Sequence, residues 1–146
     1  MSGAELPSGS AAPEPALRED EIAALARGVA EFNGGYFFEC HDTLEEAWAG
    51  IRGQARDFFQ GLIQVSVGFY HWRNGNAGGA ATMLKRGLGR LSRYGPSYCG
   101  VELALLRSAV GACQERIEAG EVFPDDREGL PRYRLNSSGT SDLPHE

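Results

Sequence analysis

The sequence is poor in cysteine, with three thiols in 146 residues and no CxxC pair. An odd number of cysteines without that spacing argues against the disulfide framework of a small secreted domain. The first residues, MSGAELPSGSAAPEP, lack both the basic and the apolar segment of a signal peptide. We therefore expect a cytoplasmic protein with reduced thiols.

The sequence also has no excess of positive charge. It contains 14 basic and 20 acidic residues, which give a formal net charge of −6 at pH 7. Broad binding to a phosphate backbone needs a clustered basic surface, so no nucleic-acid partner is predicted. The long apolar run, residues 56–74, is shorter than a typical membrane span and carries two glutamines and a histidine, so no membrane partner is predicted either. A small-molecule substrate or ligand stays open, and nothing in these features indicates the oligomeric state.

Apolar residues recur at helical spacing through most of the chain, and Gly, Pro and Asn separate the segments. This pattern predicts an all-α fold, a single up-and-down bundle of about five helices without strands, repeats or a second domain. We expect a flexible tail at residues 1–16, a helical bundle at 17–120 and an extension at 121–146. The extension is expected to dock in part through Leu130–Tyr133 before its polar end becomes disordered.

The predicted third helix is apolar around nearly its whole circumference. Its apolar side contains Phe58, Leu62, Val65, Phe69 and Trp72. One edge differs, because three hydrogen-bonding side chains fall within ~40° of each other when projected at ~100° per residue. That polar stripe consists of Gln60, Gln64 and His71, with Val67 among them. Gly61 and Gly68 lie next to the stripe and would let another backbone approach closely.

The predicted second helix places His41 and Glu45 four residues apart on one face. If this helix runs antiparallel to the third, His71 converges on the same place. Two imidazoles and one carboxylate are a recognised ligand set for zinc or another divalent metal, which acidifies its bound water. The predicted metal ligands are therefore His41, Glu45 and His71, and the candidate catalytic residues are Glu45, Gln60 and Gln64.

A second interpretation of the same residues stays open. His41 and Glu45 can form a satisfied pair, and the glutamines can bridge helices, in a structural network without catalysis. The protein is then a non-catalytic helical module that binds a ligand or a protein. The remaining polar groups are expected to be solvated, namely Asp42, Glu46, Arg86, Arg90 and Arg93. Cys40 is not expected to pair with His41, because adjacent helical residues point ~100° apart.

Two blocks of the chain resemble the domain-of-unknown-function family 309. They are FNGGYFFECHDTLEEAW (Phe32–Trp48) and DFFQGLIQVSVGFYHWRNGNAGGA (Asp57–Ala80), and the resemblance extends over roughly residues 20 to 120. It implies a small all-α bundle of the kind often labelled a predicted metal-dependent hydrolase. It also implies a set of polar and aromatic site residues: Glu39, His41, Glu45, Trp48, Gln60, Gln64 and His71, to which Asn33 and Tyr36 of the first block are added as pocket residues. Asp42 and Cys40 depart from the family pattern at positions expected to face away from His41.

Overall fold

The computed structural model describes residues 17–125 and 130–135, and the predicted tail at 1–16 and polar end at 136–146 lie outside these ranges. The described chain is mostly helical, which confirms the predicted all-α fold of about five helices. The helices are α1 (Glu19–Asn33), α2 (Phe37–Trp48), α3 (Gln54–Arg73), α4 (Ala77–Leu91) and α5 (Leu103–Glu118). None of the helices in these ranges is both long enough and apolar enough to cross a membrane.

Local signals account for most helix boundaries. The turn between α1 and α2 contains Gly35, whose φ of 87° lies in the left-handed region that glycine tolerates. The α4 helix begins after Asn76, whose side chain accepts a hydrogen bond from the Gly79 N–H at 2.9 Å. This is the N-cap that the sequence predicts. The chain enters α3 through Gly53, with φ 77°, and the helix begins at Gln54, two residues before the apolar run at 56–74.

The prediction of no strand is wrong at one place. A two-residue strand β1 (Ser97–Tyr98) pairs antiparallel with β2 (Val101–Glu102). Cys99 and Gly100 between them have φ values of 51° and 81°, as a tight hairpin turn requires. Strands of two residues are too short to produce a period-2 pattern, so the sequence gives no signal for them.

The α3 helix lies at the centre of the fold. Its apolar side is fully buried through Phe58, Leu62, Val65 and Phe69. The ring of Phe69 lies 5.5 Å from that of Phe32 on α1, so this side of α3 forms the shared core. The sequence predicts this side correctly.

Two helices flank the polar stripe of α3. On one side α2 packs against α3, with the Phe38 ring 5.5 Å from that of Tyr70. On the other side α4 packs closely against Gly61 and Gly68. The two flanking helices make little or no contact with each other. They therefore leave a groove, whose walls are α2 and α4 and whose floor is Gln60, Gln64, Val67 and His71.

Candidate functional site

The groove floor is polar but only partly paired. Gln64 is 6% exposed, and its amide oxygen accepts a hydrogen bond from Nε of Arg90 on α4 at 3.0 Å. The side chain of Gln60 has no hydrogen-bond partner among residues 17–125 and 130–135. The two predicted catalytic glutamines thus differ: Gln64 holds an arginine in place, whereas Gln60 is available.

One end of the groove contains a small cavity of about 160 Å³. Both predicted histidines, His41 and His71, line it together with Phe38, Val67 and Tyr70. The antiparallel arrangement of α2 and α3 therefore brings the two imidazoles to one cavity, as the sequence predicts. Three of its five lining side chains are aromatic or aliphatic, so its surface is largely apolar.

His41 lies between two carboxylates of its own helix. Its Nδ1 is 3.2 Å from Oδ1 of Asp42, and its Nε2 is 3.4 Å from Oε1 of Glu45. The side chains of His41, Asp42 and Glu45 are 23%, 59% and 54% exposed. The expectation that Asp42 points away from His41 is therefore wrong, although its side chain is solvated as predicted, and that of Glu45 is also more than half exposed.

The donor set near His41 does not match the predicted metal centre. Atoms of His41, Asp42 and Glu45 lie within 4.8 Å of one another, and His71 does not belong to this group. The two imidazole nitrogens point to opposite sides of the ring, and each faces a different carboxylate. A single ion bound to one nitrogen would gain one of the two carboxylates, so this arrangement does not fit a resident ion with three protein ligands.

A larger cavity of about 340 Å³ lies at the other end of the groove. Its walls come from the end of α2, the start of α3 and the last turn of α4, and the lining residues are Trp48, Gly53, Arg56, Asp57, Gln60 and Arg90. The guanidinium carbon of Arg56 lies 3.9 Å from the centre of the Trp48 ring. Nη1 of Arg56 also donates to the backbone oxygens of Trp48 and Ile51, at 3.1 and 2.9 Å. Arg56 is thereby fixed at the cavity wall.

Two arginines, one in the last turn of α4 and one just after this helix, take part in this end of the groove. Arg90 and Arg93 both form ion pairs with the carboxylate of Asp57 on α3. The expectation of a solvated arginine face is correct for Arg93, whose side chain is 65% exposed, but it misses that Arg90 is partly covered and that both residues pair with Asp57. Asp57 also contributes to a raised pKa of Tyr94, although burial is the larger cause.

Two buried polar atoms at the groove have no hydrogen-bond partner in the described part of the chain. They are Nε1 of Trp48 and Nδ1 of His41, and these two residues line the larger and the smaller cavity respectively. Asp42 lies close to Nδ1 of His41, but outside hydrogen-bonding geometry. Buried polar groups are nearly always paired with protein or water, so these two atoms are exceptions located in the residues that line the groove.

Five predicted residues do not line either groove cavity: Glu45 and Gln64, which are described above, and Asn33, Tyr36 and Glu39. Asn33 is occupied elsewhere, since its amide donates to the backbone oxygen of Tyr133 at 3.0 Å and accepts from the Tyr133 N–H at 2.8 Å. It anchors residues 130–135 to α1. Tyr36 is 60% exposed, and Glu39 is exposed on the outer surface of α2.

Cys40 is unsuited to nucleophilic chemistry. It is fully buried, and this burial, followed by the charge of Glu31, raises the pKa of its thiol from the ordinary 9.0 to about 12. A hydrogen bond with Ser66 acts in the opposite direction, but is weaker than these effects combined. The thiolate is the nucleophile, so a thiol that stays protonated and inaccessible is inert.

A third cavity, of about 430 Å³, lies between α1 and α2, on the other side of α2 from the groove. Most of its charged side chains already have an ion-pair partner. Arg18 contacts Asp20 and Glu21, and Arg27 contacts Glu31, which does not line the cavity. Glu46 is the charged lining residue for which no ion pair is found in the described part of the chain.

Comparison with known proteins finds relatives that are themselves uncharacterised. Residues 25–83 match the family described as "Domain of unknown function (DUF309)", which confirms the resemblance over a shorter stretch than the predicted 20 to 120. An "Uncharacterized protein" of Aquifex aeolicus (strain VF5) is 25% identical over 92 residues, which are 62% of this chain and 27% of the relative. The "Uncharacterized protein YpuF" of Bacillus subtilis (strain 168) is 39% identical over 49 residues, which are 33% of this chain and 28% of the relative. The chain thus matches less than a third of either relative's length.

Proposed function

We propose that this protein, whose residues 25–83 match the DUF309 family, is a ligand-binding helical domain whose groove binds a small polar molecule. One observation carries this proposal. Polar atoms of Trp48, Gln60 and His41 lie along the groove without a hydrogen-bond partner in the described chain. They are spread over both cavities, and therefore span the length of the groove.

The energetics favour a bound molecule at these atoms. Leaving a buried donor unpaired costs about 1–3 kcal/mol, and water or a ligand can recover that cost. The larger cavity, at about 340 Å³, falls inside the range of about 300–1,000 Å³ that small-molecule sites occupy. The Trp48 indole N–H can only donate, so it selects a ligand with an acceptor atom.

The geometry supports binding better than catalysis. The residues around the groove provide no nucleophile paired with a base, because the neighbouring thiol of Cys40 is buried and protonated. Gln64 is engaged with Arg90 and is therefore less available to position a substrate than the sequence predicts. Gln60 and Trp48 remain as recognition groups.

The two tryptophans give a direct test of this proposal. Trp48 lies at the groove, whereas Nε1 of Trp72 donates to the backbone oxygen of Glu121 at 3.0 Å and is already satisfied. In a ¹⁵N-labelled sample, a panel of neutral, cationic and anionic small molecules is added while the indole N–H resonances are followed. We expect at least one chemical class to shift the Trp48 resonance saturably and to leave that of Trp72 in place.

The variant Trp48→Phe assigns the resonance and removes the donor. We expect this variant to lose affinity for the compounds that bind, while its α-helical circular dichroism is retained. If no compound class moves the Trp48 resonance at millimolar concentration, or if both indoles move together, the groove is not the binding site and the proposal fails.

Metal-dependent hydrolysis is the second candidate function. The observation in its favour is the mutual proximity, within 4.8 Å, of donor atoms from His41, Asp42 and Glu45. The division of the two carboxylates between the two ring nitrogens counts against it. A bound divalent ion would supply an activated water, and these three residues are the groups that could approach it.

Titration with Zn²⁺ distinguishes the two candidates. With one nitrogen and one carboxylate per ion, we expect binding weaker than micromolar, reduced by His41→Ala and unchanged by His71→Ala. Tight binding of one ion per chain that is lost in both variants would instead establish the predicted His41–Glu45–His71 centre. That result would favour the hydrolase over the binding domain.

A further inference from the structure

We propose that the larger cavity is an oxyanion subsite, which binds a carboxylate or phosphate group of the ligand through Arg56, Trp48 and Gln60. This inference rests on the proposed function, since it assigns a chemical class to the molecule in the groove. It goes beyond that function because it specifies the charge of the ligand group, whereas the proposed function requires only that the ligand is polar.

The charge around the cavity is positive although the whole chain is acidic. Three guanidinium groups approach this end of the groove, those of Arg56, Arg90 and Arg93, and they face one carboxylate, that of Asp57. Asp57 is shared by Arg90 and Arg93. Arg56 has no acidic partner within 4.0 Å in the described part of the chain, so its charge is left uncompensated.

Arg56 is already held in the geometry that an oxyanion needs. Its described hydrogen bonds use Nη1 alone, which leaves Nε and Nη2 without a described partner. The guanidinium carbon also lies over the Trp48 ring, 3.9 Å from the ring centre, and this contact restrains the side chain further. A planar fork of N–H donors that is immobilised in advance loses little entropy on binding a carboxylate or phosphate.

Neutral donors at the same cavity add to this preference. The buried Nε1–H of Trp48 is unpaired and cannot accept a hydrogen bond, and the amide of Gln60 is free to donate. The α3 helix also begins here, since Gly53 at its N-cap lines the cavity and provides no side-chain cap. The positive end of the helix dipole therefore acts in the same direction as the arginine.

The probes for the experiment are inorganic phosphate and acetate, each titrated at low ionic strength. The readout is the Trp48 indole N–H resonance, with that of Trp72 as an internal reference. We expect both anions to shift the Trp48 resonance saturably in the millimolar range, and their relative affinities distinguish a phosphate from a carboxylate ligand. Sodium chloride at equal ionic strength should not reproduce the shift, and if it does, the effect is screening and the subsite is refuted.

The variant Arg56→Gln should weaken binding of the better probe by at least about tenfold, because charged hydrogen bonds are lost. Arg52→Gln is the matched control. Arg52 also donates through Nη1 to nearby backbone oxygens, those of Ala49 and Ile51, but it does not line the cavity. Its variant removes the same charge and should keep the affinity within a factor of about two, because Arg52 does not line the cavity and cannot donate to an anion bound there. Equal losses in both variants would overturn the subsite.

Gln60→Glu covers the case in which Arg56→Gln fails to fold. Gln60 has no described hydrogen-bond partner, so the change should leave the fold intact while it places a negative charge at the cavity. We expect anion binding to weaken by about tenfold or more. Unchanged anion affinity in Gln60→Glu would contradict the proposal.

The compound panel separates failure of the subsite from failure of the groove. If amines or neutral compounds shift the Trp48 resonance and anions do not, the groove binds a ligand but the oxyanion subsite is wrong. If no class shifts it, both proposals are refuted together.

Discussion

Gly87→Ala is expected to lower the free energy of unfolding by about 1–3 kcal/mol, the usual cost of overpacking a close contact. A Cβ atom at this position of α4 would lie 2.9 Å from the backbone oxygen of Gly61 and 2.9 Å from Cγ2 of Val65, both on α3. A backbone oxygen within a helix cannot rotate away as a side chain can. The two helices would therefore have to separate, and with them one wall of the groove would move.

Gly89→Ala, two residues further along α4, is the matched control. A Cβ atom at Gly89 meets nothing within 4 Å. Replacing glycine by alanine in an open helical position gains about 0.5–1 kcal/mol, so this variant should be more stable than the parent. Urea denaturation followed by circular dichroism measures both variants. Equal effects of the same sign at the two positions would show that α4 does not pack on α3 as described.

The glycine contacts show how far the sequence could predict helix packing. Gly61 and Gly68, which lie next to the polar stripe, correctly indicate a close neighbour, and the structure puts Leu84 of α4 against Gly68. Gly87 is missed, although it lies three residues after Leu84 and four before Leu91 on the buried face. A glycine contributes no hydrophobicity to a periodic pattern, so its burial appears only when the partner helix is known.

The candidate site is predictable where it depends on one helix and not where it depends on several. Helical spacing alone brings His41 close to Glu45 and aligns Gln60 with His71, and both follow from the sequence. The pairing of Arg90 with Asp57 joins residues 33 positions apart on different helices. Local periodicity contains no information about such a contact, so the sequence predicts a solvated Arg90 without its partner.

The polar stripe owes its accessibility to packing on both sides of it. The small residues of α3 draw α4 close on one side, while aromatic contacts such as that between Phe37 and Phe69 hold α2 on the other. Because α2 and α4 hardly meet, Gln60 and His71 are left at the bottom of a groove. The polar residues that interrupt the apolar surface of this buried helix thus form the floor of the groove.

The second large effect is a loss of stability in alkali that depends on Cys40. Burial raises the pKa of this thiol from 9.0 to about 12 in the folded protein. Between these pH values the folded state keeps a proton that the unfolded state has released. The free energy of unfolding therefore falls as the pH rises, and at about pH 11 the contribution of Cys40 alone amounts to about 2.5 kcal/mol.

Other buried groups act in the same direction, so the effect of Cys40 must be isolated. Burial also raises the pKa of Tyr133 and of Cys113. The variant Cys40→Ala is compared with the parent by urea denaturation at intervals between about pH 7 and pH 11. At neutral pH, the difference between their free energies of unfolding measures the packing cost of the substitution. Only the change of that difference with pH measures the effect of thiol ionisation.

Above pH 9, we expect the free energy of unfolding to fall more steeply for the parent than for Cys40→Ala. By about pH 11 the extra loss should approach about 2.5 kcal/mol, the value expected from linkage. Parallel curves would show that Cys40 exchanges its proton equally well in both states, which a fully buried thiol packed between α2 and α3 cannot do. Such a result would place Cys40 at an accessible surface. It would also make the thiol beside His41 a candidate nucleophile, because burial is what keeps this thiol protonated and inaccessible.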